Sequence, residues 1–174
     1  PERFISVTNG VTQRRWMMKA NPALSQLITH TIGDEWTTDL THLEQLERYA
    51  DDEDFRAVWQ TVKDLNKKEL ARVVQRTAGV KIDPSALIDV QVKRMHEYKR
   101  QLLNALRLVD LYLDLRDDPN LDVVPRTVLF AGKAAPTYWT AKLVIKLINC
   151  IADRVNEDPG VSRKLRVAFI PDYG

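Results

Sequence analysis

Apolar positions recur at helical spacing through the first half of the chain and give way in the second half to short runs alternating with amphipathic stretches. Asn21-Pro22 places a capping residue before a proline at the first helical position. Leu24, Leu27, Ile28 and Ile32 then share one face, and Gly33 can close the helix in the left-handed conformation. Asp39 caps a second helix with Leu40, Leu43, Leu46 and Tyr49 on one side. A third opens at Asp51-Asp52, whose carboxylates suit the positive end of the helix dipole. Phe55, Val58, Trp59, Val62 and Leu65 form its stripe, continued by Leu70, Val73 and Val74 up to Gly79. These stripes predict ordinary helix packing.

The pattern changes near Asp83-Pro84, which divides the chain into a mainly helical part, residues 1–84, and a second part, residues 85–174. Ile88, Val90 and Val92 alternate with Asp89, Gln91 and Lys93, as in a strand. A helix follows, with Leu102, Leu103, Leu106, Val109 and Leu113 expected on its buried side. Thr127 to Ala131 is a short, mostly apolar run, as in a strand covered on both faces. Val144, Leu147, Ile148, Ile151 and Val155 mark the next helix, and Leu165 to Ile170 a third strand. The order β-α-β-α-β, with right-handed crossovers, predicts an α/β fold: a helical segment leading into a partial Rossmann-like parallel sheet. Three strands are too few to complete such a sheet, so more chain is expected to follow.

Composition narrows the function classes. Twenty-six basic residues are offset by 24 acidic ones, leaving a net charge of +2, and no block of five or six Lys and Arg appears. A nucleic-acid groove is therefore not expected. Cys150 is the only cysteine, so no internal disulfide can form, and no Cys/His spacing suggests a metal site. Its apolar helical context predicts a small buried residue. No apolar stretch reaches the ~20 residues of a membrane span, and no signal peptide is evident. The first residue is Pro and the last lies just past an apolar run, so both ends read as cut.

Ligands of open parallel sheets bind beyond the carboxyl ends of the strands. Two segments leave those ends. Lys93 to Arg100 holds Lys93, Arg94, Lys99 and Arg100 together with His96, Glu97 and Tyr98. Gly132-Lys133-Ala134-Ala135-Pro136 leads into a helix, where backbone N–H groups and a glycine suit an anion. Cations gathered at neighbouring strand ends repel one another unless an anion or solvent screens them. Arg94 and Arg100 can grip phosphate bidentately, whereas Lys93 and Lys99 act as point charges. A solvated basic face is the competing reading. His96 can serve as an acid/base or simply as a hydrogen-bonding residue. Gly132-Lys133 matches neither a Walker loop nor a GxGxxG fingerprint.

The string Val90-Gln91-Val92-Lys93-Arg94-Met95-His96-Glu97-Tyr98-Lys99-Arg100-Gln101-Leu102-Leu103-Asn104 resembles the phosphate-pocket stretch of glycogen/starch (α-glucan) phosphorylases. Val124-Pro125-Arg126-Thr127 with Gly132 to Pro136, Thr8 to Trp16, and Asn21-Pro22 are similar to that family too, in order and at compatible spacing. The resemblance implies an enzyme that removes a terminal α-1,4-linked glucose with inorganic phosphate to give glucose 1-phosphate. It implies pyridoxal 5′-phosphate as cofactor, acting through its phosphate, and two Rossmann-like lobes of the GT-B type. This chain would supply the helical bridge and the first half of the C-terminal lobe. By the same resemblance Lys93 lies near the cofactor phosphate, Arg94 holds substrate phosphate, and Lys99 stands between the two phosphates. Tyr98 and Asn9 contact the glucose unit. His96 falls near the substrate, and Trp16 and Lys133 near the cofactor, with no definite chemical step. Tyr138 resembles an aromatic at the mouth of the catalytic cleft, with helix packing as the alternative. No metal is implied. A cytoplasmic homodimer acting on α-1,4-glucan is implied, without nucleic-acid or membrane partners.

The chain departs from the family in ways that bear on activity. Ala131 precedes Gly132-Lys133 where the family has glycine, and Gln13 stands where it usually has proline, which is expected to loosen the turn before Trp16. In the family the lysine that binds the cofactor covalently lies beyond the position of Gly174, and the first lobe lies before Pro1. The isolated piece is therefore expected to be inactive, and to self-associate through unpaired sheet edge and apolar surface. Two alternatives remain at this point: a nucleotide-sugar transferase of the same two-lobe type, and a non-enzymatic interaction module that retains only the basic loop.

Overall fold

A computed structural model describes residues 11–172. The chain forms two compact units, residues 1–66 and 67–174. No helix among the described residues is long and apolar enough to cross a membrane.

The first unit is helical. α1 (Gln13–Ala20) has Thr12 as its cap, the hydroxyl accepting from Arg15 N–H. Its sequence has no apolar period, so the pattern did not reveal it. Gln13 is its first residue, and Trp16 lies inside the helix rather than after a loosened turn. α2 (Pro22–Ile32) starts as expected: Asn21 Oδ1 accepts from Leu24 N–H, and Gly33 closes the helix at φ 88°. Trp36, 1% exposed, is the anchor of this unit, and its indole N–H donates to Thr29 Oγ1 at 3.0 Å. Residues Leu40–Tyr49 form a 3-10 helix rather than the α-helix expected. Leu40, Leu43, Leu46 and Tyr49 repeat every third residue, which is the 3-10 period, and all four are half-buried.

α3 (Glu53–Ala78) begins where Asp52 Oδ1 accepts from Phe55 N–H at 2.8 Å. Gly79 follows at φ 70°. Its stripe is only partly covered: Val62 and Val74 are buried, whereas Val58, Trp59 and Leu65 are exposed.

The second unit carries the sheet. β1 (Leu87–Val92), β2 (Arg126–Ala131) and β3 (Leu165–Ile170) pair in parallel in the order β1-β2-β3. Leu87 faces Arg126, and Val92 faces Ala131; Arg126 faces Leu165, and Ala131 faces Ile170. α4 (Gln101–Asp117) and α5 (Trp139–Glu157) connect the strands. This is an α/β arrangement with a partial Rossmann-like open sheet. Val128, Phe130, Leu165 and Val167 pack on one face with Leu108, Leu115, Ile148 and Val155. Leu129 and Ala168 pack on the other with Val74 and Ile82. Central β2 is buried from Thr127 to Ala131, so its continuous apolar run is explained. β1 is an edge strand, and Val90 is 51% exposed.

Two expectations for the second unit fail. α4 buries Gln101, Ala105, Leu108, Tyr112 and Leu115, while Leu102, Leu103, Leu106 and Leu113 are exposed. The helix carries apolar residues on two faces, and the face that packs is the one holding the small Ala105 and the amide of Gln101. Cys150 is exposed, not buried. It lies between the buried positions Ile148 and Ile151, on the outer side of α5.

Candidate functional site

The loops that leave β1 and β2 run alongside each other. Lys93 N–H donates to Ala131 O at 3.0 Å, continuing the ladder past the strands, and Met95 N–H donates to Lys133 O at 3.1 Å. Between these two bonds lies Gly132. A Cβ there would overlap the Lys93 carbonyl oxygen and meet Met95 Sδ at 3.4 Å. The glycine is thus needed for close approach of the two loops. Ala131, the departure from the family string, is 5% exposed at the end of β2 opposite Val92.

Met95 is the buried anchor of the first loop, 2% exposed and packed in the main core. Residues on either side of it turn outward. Lys93, Arg94, Arg100 and Lys133 are exposed, and Lys99 and His96 are half-buried. Arg94, His96 and Lys133 line one cavity of about 310 Å³, together with Ala134, Pro136 and Tyr138. None of Lys93, Arg94, Lys99, Arg100 and Lys133 has an ion-pair partner among the described residues. The one carboxylate in the loop, Glu97, accepts from the Tyr138 hydroxyl at 2.8 Å. That hydroxyl in turn accepts from Glu97 N–H at 3.3 Å. The His96 ring packs 5.4 Å from Tyr98 and 5.7 Å, edge-on, from Tyr138. Tyr98 is 73% exposed, with Lys99 Nζ 5.5 Å from its ring centroid.

The loop backbone is held by amides that the sequence pattern did not single out. Gln101, 2% exposed, donates through Nε2 to Arg94 O at 3.2 Å. Gln91 Nε2 donates to Lys99 O at 3.1 Å, and Asn104 Nδ2 donates to Gln91 Oε1 at 2.9 Å. Arg107 completes the chain, donating to Asn104 Oδ1 at 3.1 Å and to Asp89 Oδ2 at 2.8 Å. Asp89 and Gln91 are the polar half of the alternation in β1, and Asn104 and Arg107 sit three apart on α4. That polar register between a strand and the next helix was the available signal. Arg100 adopts the left-handed conformation, φ 61°, at the turn into α4. A non-glycine residue there is uncommon and is held by the flanking bonds from Lys99 N–H to His96 O and from Arg100 N–H to Glu97 O.

Lys93, Arg94, His96, Tyr98, Lys99 and Lys133 therefore belong to one pair of adjacent loops. Trp16 lies in the first unit, on α1, and is 63% exposed. Asn9 lies outside the described residues. An array of cations without carboxylate partners, beside a glycine-permitted close approach, can bind an anionic group and stabilise developing negative charge. It has no pair of free carboxylates with which to flank a scissile bond.

The sequence model for carbohydrate phosphorylase matches residues 1–174. Glycogen phosphorylase of Synechocystis sp. is 54% identical over 173 residues, which is 99% of this chain and 20% of that protein. Glycogen phosphorylase of Chlamydia pneumoniae is 53% identical over 99% of this chain and 21% of its own length. The muscle form of Oryctolagus cuniculus is 49% identical over 99% of this chain and 20% of its own. The chain spans about a fifth of the length of these relatives.

Proposed function

Because the chain belongs to the carbohydrate phosphorylase family, we propose that it is an internal part of an α-1,4-glucan phosphorylase and supplies that enzyme's phosphate-handling loops. The enzyme removes the terminal glucose of glycogen, starch or maltodextrin with inorganic phosphate, as glucose 1-phosphate. One observation carries this reading: Lys93, Arg94, Lys99 and Lys133 stand on two hydrogen-bonded strand-exit loops without ion-pair partners among the described residues.

Arg94 is assigned to the substrate phosphate, which its planar fork can hold through two bonds. Lys99 neutralises charge between substrate phosphate and cofactor phosphate, and Lys93 and Lys133 complete the positive wall. Two phosphates brought together repel. Fixed cations remove that penalty and favour the charge that develops as the glycosidic bond breaks. Tyr98 and Asn9 are assigned to the glucose unit, and His96 to the substrate side. Glu97 is committed to the Tyr138 hydroxyl, so its part is to hold the loop.

The residues present fit the phosphate of pyridoxal 5′-phosphate in charge: Lys93, Arg94, Lys99 and Lys133 have no ion-pair partner among the described residues. Lys93, Lys99 and Lys133 would hold that phosphate with Trp16 beside the cofactor, and the group would supply an acid/base partner for the substrate phosphate. In the two-lobed GT-B arrangement, residues 1–84 form the helical inter-lobe segment and residues 85–174 the first half of the C-terminal lobe. The whole protein acts in the cytoplasm as a homodimer, whereas the isolated chain is inactive and self-associates.

The test is product analysis with the complete polypeptide, maltodextrin and inorganic phosphate. Glucose 1-phosphate is expected. Free glucose would identify a hydrolase, and no turnover of glucan by a protein loaded with cofactor would favour a non-enzymatic interaction module.

A further inference from the structure

A second cationic site lies at the opposite end of the sheet. The segments that lead into the three strands border an open cavity of about 590 Å³. It is lined by Lys81, Arg126, Thr127, Arg163, Lys164 and Arg166. Each strand is six residues long. At ~3.3 Å per residue, this edge is separated from the Lys93–Arg100 loop by roughly 17 Å of sheet. The two sites are therefore distinct.

Basic residues at this edge have an ordinary use, because the helices of a parallel sheet end here and cations satisfy their last carbonyls. Arg166 is used in that way, on the last turn of α5, and Lys164 is taken up by a loop carbonyl beyond α4. Lys164 Nζ donates to Leu121 O at 2.7 Å, and Arg166 Nη1 donates to Asn156 O at 3.0 Å. Lys81, Arg126 and Arg163 have neither an ion pair nor a side-chain hydrogen bond among the described residues. The single acid lining the cavity, Asp83, already accepts from Ser85 N–H at 2.8 Å and from Ser85 Oγ at 2.7 Å.

One buried group adds an independent sign. Thr127 is 1% exposed, and its hydroxyl has no partner among the described residues. The Nε of Arg126, one of the three cations named above, is also buried without a partner among the described residues. An orphaned buried donor costs about 1–3 kcal/mol unless something satisfies it. Thr127 lines the same cavity as the unpaired cations.

We propose that this amino-end cavity of the sheet binds a small molecule bearing two or more phosphate charges, with Lys81, Arg126 and Arg163 as its cationic partners. The orphaned Thr127 hydroxyl is satisfied by the ligand or by water ordered with it. The cavity has room for a diphosphate or a phosphorylated sugar. The proposal does not depend on the catalytic reading of the other loops.

The test is equilibrium binding of inorganic pyrophosphate to the complete polypeptide, in parallel with Arg94→Ala and with the double variant Lys81→Gln/Arg163→Gln. Lys81 and Arg163 are exposed, so the double variant keeps the fold, which circular dichroism checks. Pyrophosphate is expected to bind Arg94→Ala undiminished at this site and to bind the double variant at least about tenfold more weakly. Binding lost in Arg94→Ala but unchanged in the double variant would overturn the proposal. So would pyrophosphate binding no tighter than monophosphate.

Discussion

Gly132→Ala tests the geometry of the site most sharply, because the added atom has nowhere to go. Its Cβ would overlap the Lys93 carbonyl oxygen, a backbone atom that cannot rotate aside. The two loops are tied on both sides of the clash, by Lys93 N–H to Ala131 O and by Met95 N–H to Lys133 O. Relief therefore requires lengthening at least one of these bonds or displacing Met95 from the core. A lost backbone bond costs roughly 0.5–1.5 kcal/mol net, and inserting a carbon into a packed site costs about 1–3 kcal/mol. The combined expectation is destabilisation by about 2 kcal/mol. Urea unfolding reads this as a lower midpoint at unchanged slope. Ala131→Gly is the control, since it adds no atom and should cost no more than ~1 kcal/mol. Destabilisation by Gly132→Ala of less than about 0.5 kcal/mol would refute the close approach of the loops.

Three further outcomes follow from the same structure. Gln91→Leu removes the donor to Lys99 O and leaves Asn104 Nδ2 unpaired, so it should destabilise by about 1–2 kcal/mol in urea unfolding and lower phosphorolysis of the complete enzyme without raising the glucan KM. On α4, Leu108→Ala should cost about 2–5 kcal/mol, whereas exposed Leu106→Ala should stay within ~0.5 kcal/mol; equal losses would contradict the face that is buried. The Tyr112 hydroxyl, 2.9 Å from Asp158 Oδ2, is the main cause holding that carboxyl below the usual aspartate range, assisted by the Gly160 N–H. A carboxyl depressed in the folded state contributes stability that is complete above its unfolded value near ~3.9 and is lost as pH falls through the folded value. Tyr112→Phe should therefore flatten the decline of stability below pH ~4, measured as urea midpoints across an acid series.

The α/β order and the strands were legible because burial fixes their composition. β2 and β3 lie between helices, so they read as apolar runs, and the structure places them within a residue of the expected bounds. The face of α4 was not legible. The four leucines at 102, 103, 106 and 113 outnumber the two, Leu108 and Leu115, that share the packed face with Ala105 and Tyr112, and only the packing chooses between the faces. α1 escaped notice because Gln13–Ala20 has no apolar period and shows itself only through Thr12. At the site, cations beyond strand ends could be placed from topology alone. The pairing of Tyr138 with Glu97 joins residues 41 apart, and no local pattern reports it. The amide chain from Asp89 to Lys99 crosses from a strand to the next helix, so its members read singly as solvent-facing polar residues.

Phosphate binding by the Lys93–Arg100 loop is the step on which the proposed phosphorolysis rests. Its most direct measurement is the phosphate dependence of glucose 1-phosphate formation by the complete enzyme and by Arg94→Ala. Loss of one charge-assisted contact worth about 1.5–3 kcal/mol should raise the phosphate KM or lower kcat/KM for phosphate by roughly 10- to 100-fold. The maltodextrin KM should change little. An Arg94→Ala enzyme with unchanged phosphate kinetics, or one impaired equally toward maltodextrin, would contradict the assignment.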